Sequence, residues 1–443
     1  MSLSQYLERF KSEIITALAK TFIARGIAAV GGLMLVIVLG RLYGTSGVGI
    51  FALAQSIYIG AGILGRYGMD NTLVRYVGQN HKSSAIMHYL RWAMGTCVVL
   101  SIIAAIFIYL LRHHFAAWFG VPILSGVLPG FAIAIPAFTL SFVLGGFMKA
   151  IRKPATACLL ENGSISLVAS GIIVGLYIYT PVDITNAGWA MAIAAWLVLG
   201  QGVYQARRWF SKQELQVEAK IPVSRQEFSL SSQAFFIMSL AQFMQQVLGI
   251  LIAGWLLSSD DLGIFRAAER TAFLITFILL VINAVFPPRF ASLYRQNDLD
   301  GLNILARKGA LLGLALAAPM LVLCLVVPHW VLGVFGKEFT EGANLLRIIA
   351  LAQLVNVATG SVGFLLNMTG HEKLMRNISL SCNALGLAMF FILIPLLGSL
   401  GAALALAIVL VLQNLIALIF VWRKLGIWML PIPNILIWVA VDH

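Results

Sequence analysis

The amino-acid sequence predicts an all-α polytopic membrane protein, with about 12 transmembrane helices in two six-helix repeats of the same topology. Three observations predict it. First, 60% of the 443 residues are hydrophobic, only 11% are charged, and the mean hydropathy is +0.93. A soluble chain carries roughly 25% charged residues, and one of this length keeps a wide wet surface to cover. A soluble enzyme, a disordered chain and a fibrous protein are therefore excluded. Second, the apolar runs recur at the length of a bilayer. Third, Lys and Arg alternate from one connection to the next.

A spanning helix needs about 20 mainly apolar residues. Twelve segments qualify: 18–41, 47–69, 89–111, 123–148, 157–179, 187–206, 228–257, 263–286, 308–333, 342–368, 377–397 and 400–422. They fall into an N-terminal lobe (1–206), a cytoplasmic linker (207–227), a C-terminal lobe (228–422) and a short apolar tail (423–443). The first run, Ile27 to Leu39, follows Lys11, Lys20 and Arg25 but lacks a small-residue cleavage site after it, so it reads as an uncleaved helix. Leu3 to Leu18 fits an amphipathic surface helix or a plain polar tail. Ile427 to Val441 contains Pro431 and Pro433 and is short of a span; it fits an interfacial hairpin or the start of a further helix. Pro136, Pro319 and Pro395 fall inside spans, where proline kinks a helix.

With the N-terminus inside, 24 of the 30 Lys and Arg lie in cytoplasmic connections or adjoining helix ends, 3 in outer loops and 3 within spans. The positive-inside rule then places both termini in the cytoplasm. It also accounts for the net charge of +13 without a nucleic-acid partner. Cys97, Cys158, Cys324 and Cys382 lie in apolar stretches with neither metal nor disulfide spacing, and His113-His114 is the nearest approach to a histidine cluster. No metal and no cofactor are expected.

The halves match at corresponding places. Ser46-Gly-Val-Gly-Ile-Phe-Ala-Leu-Ala-Gln55 aligns without gaps on Asp260-Asp-Leu-Gly-Ile-Phe-Arg-Ala-Ala-Glu269, and Leu144 to Lys153 aligns on Phe364 to Lys373. Repeats that each begin inside and hold an even number of spans share one topology and relate by an axis along the membrane normal. Two such lobes leave a cleft, and alternating access by rocking is the mechanism the architecture suggests.

Leu39-Gly-Arg-Leu-Tyr-Gly44, Gly47-Val-Gly-Ile-Phe-Ala-Leu-Ala54, Leu64-Gly-Arg-Tyr-Gly-Met-Asp70, Leu73-Val-Arg-Tyr76 and Phe147-Met-Lys-Ala-Ile-Arg-Lys153 give the chain a family likeness. It resembles the polysaccharide transporter (O-antigen flippase-like) family of the multidrug/oligosaccharidyl-lipid/polysaccharide exporter superfamily. The resemblance implies a MATE-like fold around a central cavity and a flippase that moves a polyprenyl-diphosphate-linked oligosaccharide across the cytoplasmic membrane for surface or lipopolysaccharide synthesis. It also implies partners in that assembly: the lipid-linked glycan, the lipid bilayer, and a polysaccharide polymerase or other assembly proteins. Some relatives have fourteen spans, and the short tail here departs from that pattern.

A sugar diphosphate on a lipid asks for cations in a wet cavity and hydrogen-bonding groups around them; no covalent chemistry is needed. A cation in hydrocarbon costs several kcal/mol unless paired or hydrated, and the planar fork of Arg suits phosphate. Arg25, Arg66, Arg266, Arg270 and Arg347 are therefore the candidate cavity cations. Arg25 and Arg66 also fit side chains that reach to the inner interface. Glu269 can pair with Arg266 along the helix or with Arg347 across the cleft, as a structural pair or as one that an arriving anion breaks. Glu161 can pair with Lys149 or Arg152, or carry a coupling proton; Asp70 reads as a helix-end residue at the interface. Gln242, Gln245 and Gln246 share one helical face, as do Gln353, Asn356 and Thr359. Gln242, Gln246 and Asn356 either join helices or bind sugar hydroxyls. Gly31-Gly32 and Gly145-Gly146 allow close helix approach.

Intramembrane acids are few and outnumbered by arginines, which favours an anionic cargo over that of a cation-coupled multidrug exporter. A peptidoglycan-precursor flippase has a diphosphate cargo too and stays open as an alternative. A membrane glycosyltransferase needs sizeable loops with carboxylates, and the outer Asp260-Asp261 pair stands in a loop of only a few residues; the chain does not read as an enzyme.

Overall fold

A computed structural model describes residues 3–79, 83–179, 183–213 and 223–430. Every regular element among them is helical: α1 (Leu3–Arg66), α2 (Met69–Gln79), α3 (Ala85–Leu110), α4 (Arg112–Trp118), α5 (Leu124–Ala150), α6 (Pro154–Cys158), α7 (Ser164–Tyr179), α8 (Thr185–Phe210), α9 (Arg225–Gln246), α10 (Leu248–Leu256), α11 (Ser259–Phe273), α12 (Phe277–Arg295), α13 (Leu299–Val326), α14 (Pro328–Gly333), α15 (Ala343–Thr359), α16 (Val362–Met368), α17 (Glu372–Leu397) and α18 (Ser399–Leu425). A π-helical turn, Leu159–Gly163, joins α6 to α7, and a 3-10 turn, Leu274–Thr276, joins α11 to α12.

Among the described residues, eight helices are long and apolar enough to cross a membrane, nine if the pair α6–α7, bent by 46°, is one span. The first of the eight, Ala19–Arg66, is 48 residues long; at 1.5 Å per residue that is about 72 Å, more than twice the ~30 Å of hydrocarbon. Gly44 divides it, at φ 69 and ψ −168, a conformation that a side chain would resist. It therefore supplies two crossings. The expected spans 228–257 and 263–286 are interrupted helices, α9–α10 at Val247 and α11–α12 at the 3-10 turn. With these the architecture is the twelve-span one that the sequence predicts. α5, α13 and α17 run on through Pro136, Pro319 and Pro395.

The order of elements repeats. α3–α4 recur as α13–α14, α8 recurs as α18, and the break at Gly44 recurs at Leu257, whose backbone is extended (φ −106, ψ 156). The aligned glycines of the two repeats touch. A Cβ on Gly49 would lie 1.9 Å from the Ser259 carbonyl oxygen and 3.1 Å from Gly263 N; one on Gly263 would lie 1.9 Å from the Thr45 carbonyl oxygen and 3.1 Å from Gly49 N. Such reciprocal contacts are what a two-fold relation produces. Beside them Thr45 Oγ1 donates to Asp260 Oδ1 at 2.5 Å.

The chain packs as two compact units, Met1–Gly263 and Ile264–His443. The boundary of packing thus falls one span beyond the sequence boundary of the repeat at 207–227. In the first unit α5 is the axis. It is apolar on every side, which requires burial on every side, and Phe131, Val143 and Phe147 are inaccessible. α1, α2, α3 and α8 pack around it. α3 instead exposes Val99, Ile102, Ile103, Ile106 and Phe107, the apolar surface that lipid covers.

The second unit is built on Phe290, Leu302, Leu365, Leu366, Leu418 and Val421. Ile427 and Met429, non-helical residues beyond α18, are 1% exposed and complete that core. The expected tail 423–443 therefore opens by finishing α18 and packing back on the unit; its remainder, 431–443, lies outside the described residues. Ser224 starts α9 by accepting a hydrogen bond from the Glu227 amide (3.2 Å), and Asp298 starts α13 through the Gly301 amide (2.8 Å).

Candidate functional site

The first unit pairs each of its two buried acids, among the described residues, with a base. Arg66 ends α1, the chain turns through Tyr67 (φ 49) and Gly68 (φ 73), and Asp70 enters the first turn of α2. The turn brings Asp70 Oδ2 to 3.4 Å from the Arg66 guanidinium, which lies 4.2 Å from the centre of the Phe142 ring. Asp70 is a helix-end residue, as expected, and is buried; its Oδ1 and the Arg66 Nε lack hydrogen-bond partners among the described residues.

A second pair lies alongside. Glu161 sits in the π-helical turn, with Oε1 2.6 Å from Lys149 Nζ rather than on Arg152. Gly145-Gly146 makes room for both. A Cβ on Gly145 would be 2.7 Å from Glu161 Cγ, and one on Gly146 2.4 Å from the Asp70 carbonyl oxygen. Two acids and two bases are thus held against one face of α5. Arg25 is half-buried on α1, which packs on α6 and α7. Gln242 and Gln246 lie on the last turns of α9; their side chains fall outside the described residues.

The second unit is unbalanced. On α11, Arg266 is 7% exposed and its guanidinium donates to Glu269 Oε2 at 2.5 Å. Arg270, one turn on and half-buried, has neither a hydrogen bond nor an ion pair with any described residue. Arg347 on α15 is not on Glu269. Its Nε donates to the Leu325 carbonyl (3.2 Å) at the end of α13, and a terminal nitrogen donates to Asn344 Oδ1 (3.3 Å). A cation is favourable at a helix C-terminus, where carbonyls are unpaired. This unit therefore sets three arginines against one half-buried acid, Glu269.

A neutral network lies elsewhere in the second unit. Asn356 Nδ2 donates to Gln353 Oε1 (3.0 Å), and Thr359 Oγ1 donates to the Val355 carbonyl (2.9 Å). The span then breaks at Gly360 (φ 65, ψ −143). On its far side Ser361 Oγ donates to Asn283 Oδ1 of α12 at 2.5 Å. Sequence reasoning named Gln353, Asn356 and Thr359 and offered Lys149 as a partner of Glu161, but missed Asn283 and Ser361 and did not pair Asp70 with Arg66. Thr359-Gly-Ser361 in mid-span was the available signal for the break. Asp70 had only its four-residue spacing from Arg66.

Nothing in either cluster resembles a nucleophile with its base. What the residues offer is charge and hydrogen bonds inside an apolar fold, the equipment of recognition and passage. The family model described as "Polysaccharide biosynthesis protein" matches residues 14–294, and the MatE model matches residues 234–392. None of the curated proteins matches the sequence. Among solved structures the chain is similar to the lipid II flippase MurJ in an inward closed conformation, at 14% identity and a TM-score of 0.71 over 90% of this chain and 86% of that one. It is similar to an inward-facing multidrug resistance MATE family transporter of the MOP superfamily, at 14% identity and a TM-score of 0.65 over 92% and 94%. A third is a MOP superfamily transporter from Pyrococcus furiosus with a binding pocket of reverse polarity, at 13% identity and a TM-score of 0.58 over 93% and 95%. The chain belongs to the polysaccharide biosynthesis protein family and is a multi-pass membrane transporter with the twelve-helix MOP fold.

Proposed function

We propose that the protein is a flippase for a polyprenyl-diphosphate-linked oligosaccharide, working by alternating access through a cationic cavity in the cytoplasmic membrane and serving surface polysaccharide synthesis. Both termini face the cytoplasm in this reading, supported by the distribution of Lys and Arg, and a polysaccharide polymerase or other assembly proteins receive the product. The observation that carries the reading is the excess of arginine on α11 and α15. Arg266 uses Glu269, while Arg270 has no acid of its own. Two guanidinium groups that share one carboxylate within a span are costly, and a diphosphate that enters beside Arg270 supplies further counter-charge in the bidentate geometry that arginine favours.

The likeness to MurJ supports a second reading, a peptidoglycan-precursor cargo. Both cargoes carry a diphosphate on a polyprenyl chain, so the arginines serve either; the sugars decide. Proteoliposomes holding a fluorescent polyprenyl-diphosphate oligosaccharide, the peptidoglycan precursor or a cationic dye separate the readings. The expected result is translocation of the oligosaccharide lipid in preference to the other two, with Arg270→Gln slowing it at least tenfold. Preference for the precursor selects the second reading. Transport of the dye alone, or an undiminished rate in Arg270→Gln, refutes the cationic-cavity mechanism.

A further inference from the structure

Away from these clusters, a pocket of about 670 Å³ opens where the end of α8 meets the turn between α5 and α6. That volume is within the roughly 300–1,000 Å³ of small-ligand sites. Lys153, Arg208 and Lys212 line it together with the amides of Gln201 and Gln205, and no carboxylate is among its described lining residues. All three cations are exposed, and none forms an ion pair with a described residue.

The framework is fixed from below. Arg152 adopts a left-handed conformation (φ 62), and the Lys153 amide returns to the Met148 carbonyl at 2.8 Å, which sets Lys153 over the pocket. Trp209 is buried against Phe147, ring centres 5.5 Å apart, and pins the end of α8 to α5.

The same face of α8 continues out of the pocket. Spacings of three and four residues put Ile193, Leu197, Gln201, Tyr204 and Arg208 in one stripe. Ile193 is 47% exposed, Leu197 57% and Tyr204 63%. The stripe therefore runs from bare aliphatic surface, through an amphipathic aromatic of the kind that sits at the membrane–water boundary, to amides and then cations. Inorganic phosphate would satisfy only the last part. A lipid satisfies the whole.

We propose that this pocket holds the phosphate-bearing headgroup of an anionic diacyl phospholipid, with its acyl chains lying along Leu197 and Ile193. The three cations supply the charge, near one another and with no carboxylate among the described lining residues, as in the basic sites where membrane proteins hold anionic lipid headgroups. The Gln201 and Gln205 amides add donors for phosphate or glycerol oxygens. The inference needs only the membrane reading of the fold and is independent of which cargo is carried.

The test uses the purified full chain and reads retained lipid by native mass spectrometry, with phosphatidylglycerol, phosphatidylcholine, polyprenyl diphosphate and inorganic phosphate as probes. The expected result is at least a tenfold preference for phosphatidylglycerol over phosphatidylcholine. The triple variant Lys153→Gln/Arg208→Gln/Lys212→Gln loses that preference, Leu197→Gln weakens retention about threefold, and Arg112→Gln, a cation outside the pocket, leaves it unchanged. The substituted side chains are exposed, and an unshifted thermal midpoint checks that each variant is folded. Equal retention of the two phospholipids, or a triple variant that keeps the preference, overturns the proposal. Displacement of phosphatidylglycerol by millimolar phosphate, with Leu197→Gln silent, makes the pocket a soluble-anion site and overturns the lipid assignment. Displacement by stoichiometric polyprenyl diphosphate makes it a cargo site and overturns the resident-lipid assignment.

Discussion

The two units treat interior charge in opposite ways. In the first, Arg66 meets Asp70 and Lys149 meets Glu161, so each buried acid has a basic partner. In the second, Arg266 and Glu269 form the one pair found among the described residues, and Arg270 and Arg347 are left to a helix end, an amide or nothing. A neutralised cluster holds a structure together. An uncancelled one, under the proposed function, leaves room for an anionic cargo. Under the proposed function this difference sets Arg270 and Arg347 apart as cargo contacts, a distinction that a count of arginines, which credits Arg66 and Arg270 alike, does not make.

The largest test of that division is Asp70→Ala. Removing one partner of a buried pair leaves an uncompensated charge, which costs about 3–5 kcal/mol; thermal unfolding in detergent should show a lowered midpoint. Arg66→Met/Asp70→Leu should regain most of the loss, because no bare charge remains. If the double variant is as unstable as the single one, Arg66 is not balanced by Asp70 and the contrast between the units fails. Glu269→Gln comes next. It sets Arg266 beside Arg270 with no acid between them, and a loss of about 2 kcal/mol is expected. Adding Arg270→Gln should restore part of it, a coupling that a double-mutant cycle measures. A purely additive result would mean that the two guanidinium groups do not sense each other. The smallest effect is Ser361→Ala, which removes the bond to Asn283 at the Gly360 break and should cost about 1 kcal/mol in the same unfolding assay.

Much of the fold was legible because membrane burial writes itself in composition and length. The apolar runs and the matched Gly-Ile-Phe blocks contain the twelve spans and their duplication, and the element order of the structure repeats accordingly. The three-residue spacing of Arg266 and Glu269 offers the pair that the structure contains. What was less legible depends on backbone departures inside helices. The burial of Asp70 and its pairing with Arg66 need the turn at Tyr67–Gly68 to be known. Glu161 has two basic neighbours in sequence, and the π-helical turn aims it at Lys149. The pairing of Arg347 with a carbonyl needs the end of α13 to be known. Hydropathy averages over such local events, so the scaffold was easier to read than the placement of its charges.

The meeting of Gly49 with Gly263 has a consequence of its own. Each glycine faces a carbonyl from the sister copy, so neither can gain even a methyl group while its counterpart stays put. The two halves act as moulds for one another at that point: a sequence drift in one is checked by the backbone of the other, and the ancestral likeness persists there because the contact leaves no space for it to fade.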